Sequence, residues 1–90
     1  MSGSIPSRVI ENAKSRDLRV TLRIGKEGLS DPVLLELKDQ LDSKRLVKLK
    51  INKGVVSERS ARSTIISEIE ESTGSTSVFT RGNIAVFWKE

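Results

Sequence analysis

The sequence predicts an α/β fold of two layers, with a mixed four-stranded sheet and helices in the order α-β-α-β-α-β-β. Three observations predict it: segments with alternating apolar residues, segments with apolar residues at helical spacing between them, and two final apolar segments separated by a glycine. With 90 residues, 36% of them hydrophobic, the chain is expected to form one small domain over residues 1–90, with residues 1–6 flexible.

The first half of the chain predicts a helix, a strand and a second helix. "VIENAKSR" indicates a short first helix, and "RVTLRI" alternates as a strand. We expect one strand face to carry Val20, Leu22 and Ile24, and the other to carry Arg19, Thr21 and Arg23. The start of the second helix is predicted from Ser30 or Asp31, either of which can cap it, and from Pro32, which suits the first turn. Its apolar residues, Leu34, Leu37 and Leu41, recur at helical spacing.

The second half predicts a strand, a helix and a hairpin. In "RLVKLKI", Val47, Leu49 and Ile51 are expected to face the core, while Leu46, Lys48 and Lys50 face away. Ser57 is the predicted cap of the third helix, Gly74 its end, and its buried stripe comprises Ala61, Ile65, Ile66 and Ile69. "TSVFT" and "NIAVFWK" flank Arg81 and Gly82 as a tight hairpin.

Strands separated by helices predict right-handed crossovers and mainly parallel pairing, to which the final hairpin adds an antiparallel strand. The alternation predicts that helices cover one face of the sheet. The other face is then exposed and basic, with Arg19, Arg23, Lys48 and Lys50.

The composition makes several functional classes improbable. The chain has no cysteine and no histidine, so we expect no disulfide, no metal site, no cofactor and no catalytic residues, and the protein is not expected to be an enzyme. No apolar run approaches the roughly 20 residues of a membrane span, and the first residues lack a secretory pattern. A cytoplasmic protein without a membrane or small-molecule partner is predicted.

Positive charge is concentrated in one part of the sequence. The net charge is +4 with a pI of about 9.8, which favours an anionic partner. The cations in the stretch from residue 44 to residue 62 have Glu58 as the only acid among them; they are Lys44, Arg45, Lys48, Lys50, Lys53, Arg59 and Arg62. Acidic residues are concentrated on either side of this basic stretch. A protein rarely needs such a segregation of charge merely to stay in solution.

The segment "IGKEGLSDP" places two glycines between a strand and a helix. Gly25 and Gly28 either serve a turn that needs positive φ, or let a phosphate approach the backbone N–H groups at the helix start. Lys26 adds a positive charge to the second interpretation, and Glu27 must then point outward.

Other basic and aromatic residues also have two interpretations. Lys48 and Lys50 either protect an edge strand from aggregation or, on a central strand, contact an anionic partner. Arg59 and Arg62 either contact phosphate or lie on a solvated helix face. The three aromatic residues, Phe79, Phe87 and Trp88, are expected in the core rather than stacked on bases.

Residues 18 to 89 resemble the CRM domain, the chloroplast RNA splicing and ribosome maturation module, in its stand-alone YhbY-like form. The resemblance is carried by "LRIGKEGLSDPVLLELKDQLD", "LVKLKI", "ESTGS" and "RGNIAVFWK". It implies an RNA-binding fold similar to the C-terminal domain of bacterial translation initiation factor three. It also implies a role on precursor ribosomal particles or introns. The sequence departs from the family where Asn83 follows the hairpin glycine, with Arg81 before it, and where Trp88-Lys89 replaces Tyr-Arg.

Together these observations predict a non-enzymatic protein that binds structured RNA, best of all ribosomal RNA in a precursor large subunit. The predicted RNA-binding residues are Arg19, Arg23, Gly25, Lys26, Glu27, Gly28, Lys48, Lys50, Arg59, Arg62, Arg81 and Lys89. Two alternatives remain: an Alba-like dimer that coats nucleic acid, and a module that docks on a ribosomal protein. The sequence leaves ribosome assembly, splicing and transfer RNA handling open as roles.

Overall fold

The computed structural model describes residues 5–25, 28–52 and 59–90, with the backbone alone for residues 59–61. In chain order the elements are α1 (Ser7–Lys14), β1 (Val20–Ile24), α2 (Asp31–Lys44), β2 (Leu46–Ile51), α3 (Arg59–Thr73), β3 (Thr76–Arg81) and β4 (Ile84–Trp88). This order confirms the predicted α/β fold. Within these described ranges, no helix is both long and apolar enough to span a membrane.

The four strands form one mixed sheet in the order β1-β2-β4-β3. β1 pairs with β2 in parallel, whereas β4 pairs antiparallel with both β2 and β3. The predicted predominance of parallel pairing is therefore wrong, because β4 inserts between β2 and β3 instead of adding to an edge. β2 has a partner on each side, which confirms its central position and removes the edge-protection explanation for its lysines.

The main core lies between the sheet and the pair α2 and α3, on what we call the helical face. Leu37 and Leu41 of α2 and Ile69 of α3 are fully buried there. They pack with sheet residues Ile24, Val47, Leu49, Ile51, Ala85 and Phe87, and Ile65 and Ile66 lie at the margin. The predicted apolar stripes are thus confirmed, except for Ala61, whose side chain lies outside the described residues.

α1 packs on the opposite face of the sheet, against β3 and β2. Its buried residues are Val9 and Ala13. Val86 is also fully buried and is not part of the main core, since it alternates with Ala85 and Phe87 along β4. α1 therefore covers part of the sheet face that was expected to be exposed. The exposed part of this face is narrower than the alternation of apolar residues along the strands predicts.

β1 does not alternate strictly. A register shift between Val20 and Leu22 pairs Val20 with Lys48 and Leu22 with Leu49. The extra residue, Thr21, donates its hydroxyl to Gln40 of α2 at 2.5 Å, so it points to the helical face. The prediction that Thr21 shares a face with Arg23 and that Val20 shares one with Leu22 is wrong, because a β-bulge shifts the alternation by one residue.

The helix ends follow the sequence signals in part. Ser30 occupies the N-cap position of α2 but makes no capping bond with its side chain. The expected cap Ser57 and residues 1–4 of the predicted flexible start lie outside the described residues. Gly74 ends α3 with φ of 70°. The tight hairpin turn comprises Gly82, with φ of 58°, and Asn83, one residue later than predicted, because Arg81 still pairs within β3.

Candidate nucleic-acid interface

Cations from three strands form a row across the sheet. Arg23 of β1 pairs with Lys50 of β2, Lys50 pairs with Ile84 of β4, and Ile84 pairs with Arg81 of β3. Since paired residues project from the same face and neighbouring strands lie about 4.8 Å apart, the row spans roughly 14 Å. We call the surface with Arg23, Lys48, Lys50 and Arg81 the basic face.

The basic face has unbalanced positive charge. Arg23, Lys50 and Arg81 are exposed, and within the described part of the chain none of them forms an ion pair. Like charges directly across a strand pair repel each other and destabilise the sheet. An anion placed over Arg23 and Lys50 would relieve this repulsion, and phosphate is the anion that guanidinium and ammonium groups commonly bind.

Lys48 differs from Lys50 although both lie on β2. Its ammonium group donates to the Leu18 carbonyl at 3.1 Å and is partly buried. This bond ties β2 to the segment between α1 and β1. An ammonium has three N–H donors, so Lys48 retains donors for a further acceptor.

A groove of about 480 Å³ lies where β1 and β2 end. Among the described residues it is lined by Arg23, Ile24, Gly25, Lys50 and Asn52. The N–H of Asn52 donates to the Ile24 carbonyl and the N–H of Ile51 donates to the Asn83 carbonyl, at 2.9 and 2.8 Å. These bonds bring the glycine segment, the end of β2 and the hairpin turn to one end of the sheet.

The two glycines of this segment have different surroundings. Gly28 has φ of 76°, and its N–H donates to the Gly25 carbonyl at 3.0 Å. Gly28 thus serves the turn, and its own amide is already hydrogen-bonded. Gly25 has no positive φ, and a Cβ built on it would meet nothing within 4 Å. The fold therefore does not require glycine at position 25, which is exposed beside the groove.

Several predicted contact residues lie apart from the basic face or form other bonds. Arg62 donates from its guanidinium to the Gly82 carbonyl and so holds α3 to the hairpin turn. Arg19 is exposed just before β1. Lys26, Glu27 and the side chain of Arg59 lie outside the described residues.

Lys89 lies beyond the end of β4 and pairs with α2. Its ammonium donates to Asp42 Oδ1 at 2.9 Å. This hydrogen bond and the positive charge of Lys89 hold the pKa of the Asp42 carboxyl below its ordinary value. The predicted contact of Lys89 with RNA stays a prediction.

Sequence reasoning missed the contribution of the segment at the end of α1. A second, smaller cavity is lined by Lys14, Ser15, Arg16, Lys48, Phe79, Arg81 and Ile84, and we call it the α1 hollow. The two cations in "AKSR", at the end of the first helix, were the available signal for a further basic contact. The periodicity of the sequence did not show that this helix packs across the basic face. Phe79 and Trp88 are only partly buried, contrary to their expected core positions, whereas Phe87 is in the core as predicted.

The described residues offer charge and hydrogen-bond donors rather than ligands for metals. No group of three or more His, Cys, Asp or Glu side chains comes together within those ranges. The surface that the structure builds can hold anions over a central strand.

Comparison with known protein families gives a match over most of the chain. Residues 11–89 match the family model of the CRS1/YhbY (CRM) domain. The chain belongs to this family. The match covers α1 from Glu11 onward and all four strands of the CRM domain, and membership supports RNA as its partner.

Among solved structures, the CRM domain is similar to the hypothetical protein SAV1595 from Staphylococcus aureus. The TM-score is 0.75 at 18% sequence identity, covering 97% of this chain and 90% of that one. This likeness confirms the mixed α/β fold with its four-stranded sheet. No curated protein matches the chain.

Proposed function

We propose that this CRM domain is a non-enzymatic RNA-binding protein that holds structured RNA by its phosphates, with the basic face and the Gly25–Gly28 segment as its contact surface. Family membership supports RNA binding. The solution structure of the similar Staphylococcus aureus protein was described as that of "a putative RNA binding protein", which agrees with this proposal.

The observation that carries the proposal is the pairing of Arg23, on the edge strand β1, with Lys50 of the central strand β2. Their positive charges lie side by side without an acidic partner among the described residues, and β2 needs no protection as an edge. Phosphate contacts made in this way fix the position of an RNA without reading its sequence.

Gly25 extends this surface at the end of β1. Gly25 borders the groove beside Arg23 and Lys50, and a side chain at this position would enter open space instead of the protein. The absence of a side chain therefore favours close approach of a ligand from outside. Since the Gly28 amide is bonded within the turn, a phosphate would be held by other donors near this groove.

The finer proposal is that the RNA is ribosomal RNA in an assembling large subunit. It follows from the resemblance to the stand-alone YhbY-like form, for which precursor ribosomal particles are the expected targets. A cytoplasmic location goes with this proposed target.

The test compares two double variants with the same loss of charge. Arg23→Ala with Lys50→Ala removes two cations from the basic face, while Lys38→Ala with Lys44→Ala removes two exposed cations from α2. We expect the first pair to weaken binding of a structured ribosomal RNA fragment by roughly 10-fold, as for two charged hydrogen bonds partly screened by solvent.

The control pair should leave the affinity within about 2-fold of the parent, because solvent-exposed helix charges contribute little to a distant contact. Equal losses from both pairs would show that only net charge matters and would contradict a contact surface on the sheet. Parallel titrations with duplex DNA, together with the oligomeric state, separate this proposal from an Alba-like DNA-coating dimer. We expect weaker binding to the DNA than to the RNA.

A further inference from the structure

The α1 hollow combines apolar and cationic side chains that the proposed phosphate contacts do not explain. Its volume is about 150 Å³. A cavity of about 150 Å³ in a protein interior is large enough for a benzene-sized ring. The hollow therefore has room for one small aromatic group.

Its lining divides by chemistry. Phe79 and Ile84 supply the apolar surface, from neighbouring strands β3 and β4. The charged side chains of the lining are all cations; they are Lys14, Arg16, Lys48 and Arg81. An uncharged aromatic ring from a protein partner would gain only cation–π attraction from these cations, whereas a ring that carries an anionic group would also form charged hydrogen bonds with them.

The cations are held around the hollow by elements that meet there. Lys48 is fixed by its bond to the Leu18 carbonyl at 3.1 Å, and Arg81 lies in the last position of β3. Lys14 ends α1 and Arg16 follows it, in a turn where the Asp17 N–H bonds to Ser15 Oγ at 3.1 Å. Asp17 is exposed and is not part of the lining.

From this arrangement we propose that the α1 hollow receives one unpaired base of a bound RNA, which stacks against Phe79. The flanking phosphates then lie against Lys14, Arg16 and Arg81. A nucleotide is the ligand that joins a planar ring to an anion, and stacking on an aromatic side chain is a common way to hold an unstacked base. The inference rests on the proposed function and narrows its ligand to structured RNA with an unpaired nucleotide.

The hollow and the larger groove can serve one RNA segment. Lys48 lines the hollow and Lys50 lines the groove, and two residues along a strand are separated by roughly 7 Å. A strand of RNA that follows β2 thus passes from the phosphate contacts near Gly25 to the base site near Phe79.

The test uses two RNA hairpins with the same stem, one fully paired and one with a single unpaired uridine. Their dissociation constants are measured for the parent, for Phe79→Leu and for Trp88→Leu. Trp88 is the matched control, because the pairing of β4 places it on the same sheet face and it does not line the hollow.

We expect the parent to bind the bulged hairpin at least 5-fold more tightly than the paired one, in line with the stacking of one base. Phe79→Leu should abolish this preference and leave binding to the paired hairpin unchanged, and Trp88→Leu should retain the preference. Equal affinity of the parent for both hairpins, or a preference that survives in Phe79→Leu, would overturn the base site. If the parent binds neither hairpin, the proposed RNA-binding function itself fails.

A second measurement needs no variant. A photoreactive uracil analogue at the unpaired position should crosslink the parent within the peptide that contains Phe79, as located by mass spectrometry. Crosslinks confined to other peptides would contradict the proposal even if Phe79→Leu does not fold.

Discussion

At the scale of single residues, Gly25 and Gly28 are glycine for different reasons. Gly28 has a left-handed backbone, which costs an ordinary residue roughly 1–2 kcal/mol. Gly25 has neither a positive φ nor a neighbour that a Cβ would touch. A turn therefore explains the glycine at position 28 alone, and close approach to a ligand is the explanation that we propose for Gly25.

This difference predicts opposite outcomes for two substitutions. Gly28→Ala should lower the free energy of unfolding by about 1–2 kcal/mol because of its φ. Gly25→Asp should leave the thermal midpoint nearly unchanged but weaken RNA binding, since it places a negative charge beside Arg23 and Lys50. Thermal unfolding and RNA titration of both variants check this. A Gly25→Asp protein that binds RNA like the parent would reduce the segment to a turn.

Asp42 and Lys89 give a second prediction at this scale. Because Lys89 lowers the pKa of Asp42 in the folded protein, the pair stabilises the fold above the ordinary carboxyl pKa. This contribution is lost as the pH falls through the lowered value. NMR titration should show the pKa of Asp42 rising in Lys89→Ala. An unchanged pKa would mean that the pair does not persist in solution.

At the scale of elements, α1 and the pair α2 and α3 cover opposite faces of the sheet and depend on different residues. Leu41 lies in the main core, whereas Val86 is buried on the side of α1. Loss of packing at each position should therefore affect different parts of the molecule.

We predict that Leu41→Ala costs about 2–5 kcal/mol and destabilises the whole domain. Val86→Ala removes two methyl groups and should cost about 1–3 kcal/mol, with its main effect on α1. Native-state hydrogen exchange measures the local effect of each substitution. In Val86→Ala, the exchange rates of the α1 amides should increase over those of the parent by more than the exchange rates of the β2 amides do. Uniform acceleration across the domain would contradict a separate packing unit.

The sequence predicted most of the elements but not how all of them meet. Leu37, Leu41 and Ile69 follow helical periodicity, and Gly74 and Gly82 mark chain reversals, so these features could be predicted locally. The position of α1 could not be predicted. Alternation along β4 shows that Val86 faces away from the main core, but it does not show which element covers Val86. The bulge at Thr21 depends equally on its neighbours, here Gln40 of α2.

The candidate site was predicted to a smaller extent. Alternation placed Arg23, Lys48 and Lys50 on one face, and the central position of β2 was inferred from the element order. The bonds of Arg62 to the hairpin turn and of Lys89 to Asp42 join residues far apart in sequence. Such contacts leave no periodic signal, and neither does the approach of Lys14 and Arg16 to Phe79.

At the scale of the whole molecule, the exposed cations of the sheet and most of the exposed acids of α2 and α3 lie on opposite sides. The basic face carries Arg23, Lys50 and Arg81, while the helices on the other side expose most of their acids, which are Asp31, Glu36, Asp39, Asp42, Glu68 and Glu71. If RNA binds as proposed, this separation should repel an RNA that approaches the helical side and steer it to the sheet. The net charge of +4 alone would not orient the complex.

The dependence of RNA affinity on salt concentration tests the central claim, a phosphate contact on the basic face, most directly. The logarithm of the association constant should fall linearly with the logarithm of salt concentration for the parent. In Arg23→Ala with Lys50→Ala the slope should be shallower by about one unit for each lost phosphate contact, while Lys38→Ala with Lys44→Ala should retain the parental slope. A parental affinity that does not change with salt, or equal slopes for the parent and the basic-face variant, would contradict the claim.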